Sequence, residues 1–200
     1  MNTSEFKDKW VNEDEDLCPL SEARLINLNL QAATIEFFIA AGLPNNAAPY
    51  LSFVKDSRDI YDGINKLTTQ YDYLEPEYAK YIVIGSDGNG NAIAINTAQN
   101  DRIELLDHEN EFVGCYMNES IHHLAELLII FRDFVSLVQE ENGDEAYVNS
   151  NFTDAQFETL KHKIEIADPK ALSEDGFWKG ELEMLLVNRK EFLESVKGGE

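Results

Sequence analysis

The sequence predicts an α+β domain in which helices flank an antiparallel sheet. A helical hydrophobic period before about residue 42 gives way to short alternating runs, and a helical period returns after about residue 118. Strands grouped between helices, rather than alternating with them, are typical of this fold class. With 200 residues the chain can bury a substantial core. We therefore predict an acidic, loosely attached N-terminal arm over residues 1–20 and a single domain over residues 21–196.

The first helical pattern runs from Ser21 to Ala41. Its apolar residues recur at spacings of three and four, so that one face of a helix can be buried. These residues are Leu30, Ala33, Phe37, Phe38 and Ala41. Gly42 suits the left-handed position that ends many helices, and Pro44 prevents the helix from continuing.

Four short runs between Tyr50 and Glu111 predict an antiparallel meander. Each run is rich in β-branched or aromatic residues, and turn-forming residues separate one run from the next. The runs are YLSFV, KYIVIG, NAIAIN and DRIELLDHE.

Residues 118–141 predict a helix that covers one face of this sheet. An apolar stripe supports the assignment. The stripe consists of Ile121, Leu124, Leu128, Phe131, Val135 and Val138. Asn118 or Ser120 is expected to cap the helix, because either side chain can accept a hydrogen bond from a first-turn amide. A last helical region, capped by Thr153 or Asp154, is interrupted around Pro169.

Composition limits the partners and the compartment. The formal net charge of -22 disfavours nucleic acid and anionic membranes as ligands and favours a basic protein. Cys18 and Cys115 form neither a disulfide framework nor a cysteine zinc motif, which fits a reducing compartment. The first residues lack the basic and apolar regions of a secretory leader, and the longest apolar run is far shorter than the roughly 20 residues of a membrane span. We expect a cytoplasmic protein.

The stretch VIGSDGNGNAIAIN, residues 83–96, is compatible in principle with a phosphate cradle, a calcium loop or a hairpin. Ile93 stands where a dinucleotide-binding loop needs its third glycine, and Asn91 stands where a P-loop needs lysine. Asp87, Asn89 and Asn91 alternate as in the first half of a calcium loop, but Ala98 replaces the final glutamate. The stretch therefore predicts a hairpin loop whose glycines supply positive φ angles.

Other groups of reactive residues indicate no enzyme. His122 and His123 are adjacent but lack a third metal ligand at a recognisable spacing. Asp107 and Glu109, with a histidine between them, are close in sequence, and sequence proximity alone does not create an acid/base pair. Cys115 has no partner that would mark it as a nucleophile. We predict no catalysis, no bound metal and no cofactor.

Five stretches, in this order, resemble the SUKH superfamily. This large group of bacterial immunity proteins also contains a yeast cell-wall-synthesis regulator. The stretches are FFIAAGLPNNAAPYLSF, YIVIGSDGNGNAIAINT, IELLDHENEF, MNESIHHLAELLIIF and the tail IADPKALSEDGFWKGEL. The tail is similar to the D-P-x-A-L and F-W ending of one bacterial branch. The resemblance covers roughly residues 20–185.

The resemblance implies a strongly bent antiparallel sheet flanked by helices, without catalytic activity. It also implies that the protein binds and neutralises a secreted toxin, often a nuclease or a nucleic-acid deaminase. The acidic composition agrees with this role, because a nuclease presents a basic groove to its substrate. The alternative is a non-catalytic binding or regulatory scaffold, like the yeast relative. The identity of the toxin and the oligomeric state remain open.

We predict that the partner binds at the hairpin loop, through Asp87, Asn89 and Asn91. Loops on a rigid sheet are where binding residues concentrate, and the resemblance implies that this end of the sheet engages toxins. Asp107 and Glu109, on a later strand, are expected to extend toward the same acidic face.

Overall fold

The computed structural model describes residues 1–10 and 17–198 and confirms the α+β class. The helices in these residues are α1 (Thr3–Lys9), α2 (Glu22–Leu25), α3 (Ala32–Ala40), α4 (Leu67–Gln70), α5 (Ile121–Asn142), α6 (Asp154–Ala167) and α7 (Phe177–Gly198). Three short 3-10 helices span Pro76–Lys80, Thr97–Gln99 and Pro169–Leu172. None of the described helices combines the length and the apolar composition that crossing a bilayer requires.

The strands form one large sheet and one small one. The strands are β1 (Leu17–Cys18), β2 (Leu43–Pro44), β3 (Asn46–Ala47), β4 (Leu51–Phe53), β5 (Asn65–Lys66), β6 (Tyr81–Ser86), β7 (Ala92–Asn96), β8 (Arg102–Asp107) and β9 (Val113–Asn118). The large sheet has the order β3-β4-β6-β7-β8-β9, with β5 also paired to β6, and every pairing is antiparallel. The predicted meander is therefore confirmed, and β1 pairs with β2 separately.

Strand β9 was not predicted, because the meander was expected to end near Glu111. Val113 and Gly114 are exposed at the edge of the sheet, so β9 lacks the apolar alternation that marks its neighbours. The register shifts once between β6 and β7 and once between β8 and β9. Irregularities of this kind bend the strand that contains them.

Helix α5 covers one face of the sheet, as predicted. It packs there on buried side chains of the central strands. These are Ile82, Ile84, Ile93, Ile95, Ile103 and Met117. The N-cap residue is Ser120, but its hydroxyl hydrogen-bonds to Nδ1 of His123 (2.9 Å) rather than to a first-turn amide. The predicted side-chain cap is therefore wrong, and the other candidate, Asn118, lies in β9.

The opposite face of the sheet is covered by residues 67–80. Leu67 is fully buried in a second apolar cluster with Val83, Ala94 and Leu106 from the sheet. The ring of Tyr71 lies 4.7 Å from that of Phe112, centroid to centroid, and closes this cluster. The central strands are thus buried on both faces, which makes them a rigid base for the loops that connect them.

The described part of the N-terminal segment is packed, in contrast to the loose attachment that its charge predicted. Phe6 in α1 is fully buried, and its ring centroid lies 5.5 Å from that of Phe37. The amino group of Met1 contacts a carboxylate oxygen of Glu126 in α5 at 2.7 Å. A few apolar residues in a charged stretch provide this anchor, and they are too few to form a periodic pattern. The acidic cluster at residues 13–16 lies outside the described residues.

The predicted helix from Ser21 to Ala41 is two helices, α2 and α3. Asn27 and Asn29 between them have positive φ angles of 68° and 57°, which asparagine tolerates better than most residues. The predicted end is confirmed: Gly42 has φ 69°, and a Cβ on it would overlap the carbonyl group of Cys18 in β1.

The last helical region is divided as predicted. Thr153 caps α6: its side chain accepts a hydrogen bond from the amide of Gln156 (3.2 Å), and the Gln156 side chain accepts one from the amide of Thr153 (2.7 Å). The other candidate, Asp154, is the first residue of the helix. A 3-10 helix after Asp168 then leads into α7.

Candidate functional site

The hairpin loop between β6 and β7 is organised by the side chain of Asp87. One carboxylate oxygen accepts hydrogen bonds from the amides of Asn89 (2.9 Å) and Asn91 (2.8 Å). The other accepts a hydrogen bond from the Asn91 side-chain amide at 2.9 Å. Gly90 supplies the positive φ angle, 87°, that the sequence predicted for this turn. The loop is therefore held by hydrogen bonds to its own side chains.

The turn between β8 and β9 lies directly beside this hairpin loop. The side-chain oxygen of Asn91 accepts a hydrogen bond from the amide of His108 (3.2 Å) and lies 2.9 Å from its Nδ1. Strand β8 ends at Asp107, whose carboxylate accepts a hydrogen bond from the amide of Glu109 at 3.0 Å. Glu109 thus lies in the turn and not on a strand, because the backbone reverses directly after Asp107.

The structure brings all five predicted site residues to one end of the sheet. We call residues 87–91 and 107–112 together the loop end. It contains the carboxylates of Asp87, Asp107, Glu109 and Glu111, and no lysine or arginine. Of the predicted residues, Asn89 and Glu109 are exposed and the other three are half-buried; Glu111, which was not predicted, is also exposed. The loop end is therefore a rigid and locally acidic surface.

Helix α7 adds another carboxylate to this end, which sequence reasoning missed. Glu181 and Asp87 line the same small cavity of about 260 Å³, together with Tyr50 from the turn before β4. Burial, and then the charge of Asp87, raise the pKa of Glu181 to about 7. Neither Glu181 nor Tyr50 belongs to a sequence motif, and only the tertiary structure places them beside the loop.

The tail motif explains how α7 reaches this position. The Asp168 carboxylate, 3% exposed, accepts hydrogen bonds from the Tyr116 hydroxyl (2.9 Å) and the Asn118 side chain (3.0 Å) of β9. The side-chain oxygen of Asn118 accepts a hydrogen bond from the Trp178 indole N–H at 3.1 Å. Glu181 follows Trp178 by three residues, about one helical turn. The D-P-x-A-L and F-W motifs are thus joined through Asn118, and together they fix the start of α7.

The candidate metal and catalytic residues have other contacts. The ring of His122 packs edge-on against that of Phe37, with centroids 5.3 Å apart, and burial lowers its pKa. Nδ1 of His123 is hydrogen-bonded to the hydroxyl of Ser120. Burial raises the pKa of the Cys115 thiol, which is opposite to the shift of an activated nucleophile. Within residues 1–10 and 17–198, no three metal-binding side chains come together.

The structure thus presents an antiparallel sheet with flanking helices and two acidic loops at one end. The chain belongs to the SUKH-4 immunity protein family, whose sequence model matches residues 9–184. Membership confirms the resemblance found in the sequence and supports a role in toxin immunity. Comparisons with curated proteins and with solved structures gave no match.

Proposed function

We propose that this protein neutralises a basic toxin by binding it at the loop end, without catalysis of its own. The observation that carries the proposal is the hydrogen-bonded link between Asn91 and His108, which joins two acidic loops into one surface. Family membership supports immunity, and the geometry of the loop end supports this location.

Rigidity favours tight binding at this surface. The Asp87 and Asn91 side chains already fix both loops, so a partner does not have to order the backbone when it binds. The central strands beneath the loops are buried on both faces and hold them in place. The exposed carboxylates of Glu109 and Glu111 remain free to interact with a partner.

Electrostatics support a basic protein as the partner. The net charge of -22 and the carboxylates of the loop end attract a positive surface and accelerate encounter with it. A nuclease or a nucleic-acid deaminase presents such a surface to its substrate, and an immunity protein can occupy the same groove. Nucleic acid and anionic membrane would be repelled by the same field. We also propose a cytoplasmic location, in which the protein would meet such a toxin.

A growth-protection experiment tests the proposal. The resemblance implies that such proteins are often encoded beside their toxins, so the toxin domain is sought in the neighbouring reading frame. Cells that express this domain should grow when the protein is co-expressed, and purified protein should bind the domain. The double variant Glu109→Lys, Glu111→Lys should slow association at low salt by about tenfold or more. The control, Glu158→Lys with Glu165→Lys, changes the net charge equally on the exposed face of α6. Absence of protection by the native protein would overturn the proposal.

A further inference from the structure

Tyr50 projects into solvent beside the loop end. Its side chain is 74% exposed, the largest value among the bulky apolar side chains of the described residues. Its backbone has φ 62°, a left-handed conformation that is unfavourable for a bulky residue. Tyr50 is the last of the three residues, 48–50, that turn the chain from β3 into β4, and this turn places its aromatic ring in water.

Tyr50 lies between two concave sites of different chemistry. On one side is the small cavity that Asp87 and Glu181 line. On the other side is a groove of about 690 Å³ between the sheet edge and α5. Its apolar lining includes Ala47, Ala48, Leu51, Val135 and Tyr147. A partner that covers Tyr50 would thus contact carboxylates at one edge and an apolar groove at the other.

The carboxylates of this site form no ion pair with a lysine or arginine of the described residues. In residues 1–10 and 17–198, no lysine or arginine forms an ion pair with Asp87 or Glu181. Glu181 is half-buried beside another carboxylate, and burial first and the charge of Asp87 second disfavour its charged form. An external cation placed between the two carboxylates would offset their mutual repulsion.

Arg132, the arginine that lines the far part of the groove, is already engaged. It is paired with Asp133 at 2.7 Å, donates a hydrogen bond to the carbonyl oxygen of Lys9 (2.9 Å) and lies over the ring of Trp10. Arg132 is therefore not available to attract an acidic ligand. The carboxylates of Asp87 and Glu181 instead make the site favour a positively charged ligand.

We propose that Tyr50, Asp87, Glu181 and the adjoining groove form a docking site for a basic polypeptide segment of the toxin. A lysine or arginine side chain of that segment lies against the Tyr50 ring and pairs with Asp87 and Glu181, and a neighbouring apolar side chain enters the groove. Aromatic residues of this kind supply much of the binding energy at protein interfaces. The inference rests on the proposed function and deepens it by naming the contact.

An NMR titration tests the cationic part of the site without any toxin. Nα-acetyl-arginine amide should produce saturable shifts at Tyr50, Glu181 and the amides of residues 87–89, with millimolar affinity. The neutral citrulline analogue should produce none. Tyr50→Ala and Glu181→Gln should each weaken arginine binding about threefold or more, whereas Tyr73→Ala, at 73% exposure, should not change it. Equal shifts from the citrulline analogue, or no saturable shifts at these residues, would show that the site does not recognise a cation.

Binding to the toxin domain of the neighbouring reading frame separates this inference from the proposed function. Tyr50→Ala should increase the dissociation constant about tenfold or more, as expected for the truncation of a central aromatic residue. If the native protein protects cells but Tyr50→Ala binds the toxin as tightly as the native protein, the docking site is wrong and the immunity function stands. If the native protein gives no protection, the proposed immunity function is wrong. A toxin is then also excluded as the ligand of the docking site.

Discussion

Asp87 and Asn91 shape the loop end, whereas Asn89 and Glu109 present free side chains. The Asp87 carboxylate accepts three hydrogen bonds within the hairpin loop, and Asn91 connects that loop to His108. Replacing Asp87 or Asn91 therefore changes the loop itself as well as its charge. Substitutions at Asn89 and Glu109 report on binding more directly, because in the described chain only their backbone amides are hydrogen-bonded.

Replacing Asp87 with alanine should destabilise the protein in a pH-dependent manner. At about pH 5.5, where Glu181 is uncharged, loss of the hydrogen bonds in the loop should lower the free energy of unfolding by about 1–2 kcal/mol. At about pH 8 the cost should be smaller, because the substitution also removes repulsion between Asp87 and ionised Glu181. Urea unfolding at both pH values measures the difference. Asn89→Ala, which removes an exposed side chain, is the control and should have almost no effect.

Glu181→Gln should stabilise the protein above neutral pH. The pKa of Glu181 rises from 4.5 in the unfolded chain to about 7 in the folded protein, so the native state binds the proton more tightly. The stabilising contribution of protonated Glu181 is therefore complete below about pH 4.5 and is lost as the pH rises through about 7. At about pH 8 the variant should gain about 1–2 kcal/mol, less than the whole shift implies because the side chain is partly hydrated.

The measurement is urea unfolding of both proteins across this pH range. Glu183→Gln provides a matched control on the same helix, because Glu183 is largely exposed and forms only an i,i+4 pair with Lys179. An advantage of Glu181→Gln that is as large at about pH 4 as at about pH 8 would contradict the assigned pKa.

At the scale of elements, the polar anchor between β9 and the tail determines where α7 begins. Asp168→Ala would leave the Tyr116 hydroxyl, the Asn118 side chain and the Glu119 amide without their acceptor. Because these groups are buried or partly buried, we expect the free energy of unfolding to fall by about 2–4 kcal/mol. Thermal unfolding measures the change. The control is Asp175→Ala, at an exposed position in the same connection, and an equal loss there would refute a special role for Asp168.

Elements with a strong local pattern were predictable, and elements defined by tertiary contacts were not. The stripe from Ile121 to Val138 identifies α5, because burial on one helical face repeats at a fixed spacing. Strand β9 was not predicted, because its residues at the exposed edge of the sheet lack the alternation of apolar and polar side chains. The break between α2 and α3 depends on positive φ angles at Asn27 and Asn29, and asparagine also occurs inside helices.

The candidate site shows the same division. Asp107 and Glu109 were expected to extend toward the acidic face of the hairpin loop, and they lie beside it because the end of antiparallel β8 meets the start of β7. The turn that contains Glu109 was not predicted, because β9 was not. Glu181 was not predicted, because its place beside Asp87 depends on the turn at Asp168 and the anchoring of Trp178. Tyr50 was not predicted as a site residue either, because the sequence predicted it as the first residue of a strand.

For the whole molecule, the net charge of -22 implies strong self-repulsion in the native state. Added salt screens this repulsion, since the Debye length falls from about 30 Å at 0.01 M to about 8 Å at 0.15 M. We expect the thermal unfolding midpoint to rise by several degrees between about 10 mM and about 300 mM sodium chloride. Potassium chloride should have the same effect, because screening does not depend on the identity of the cation. A midpoint that falls with salt would show that attractive ion pairs outweigh the repulsion.

The link between Asn91 and His108 has a consequence for how such a protein can diverge. Because buried strands and a few side-chain hydrogen bonds hold the loop end, its exposed positions contribute little to folding. Substitutions at Asn89, Glu109 or Glu111 can therefore accumulate at almost no cost in stability. A change on the surface of a toxin can be matched by a single substitution at these positions, so new specificities can arise on an unchanged scaffold.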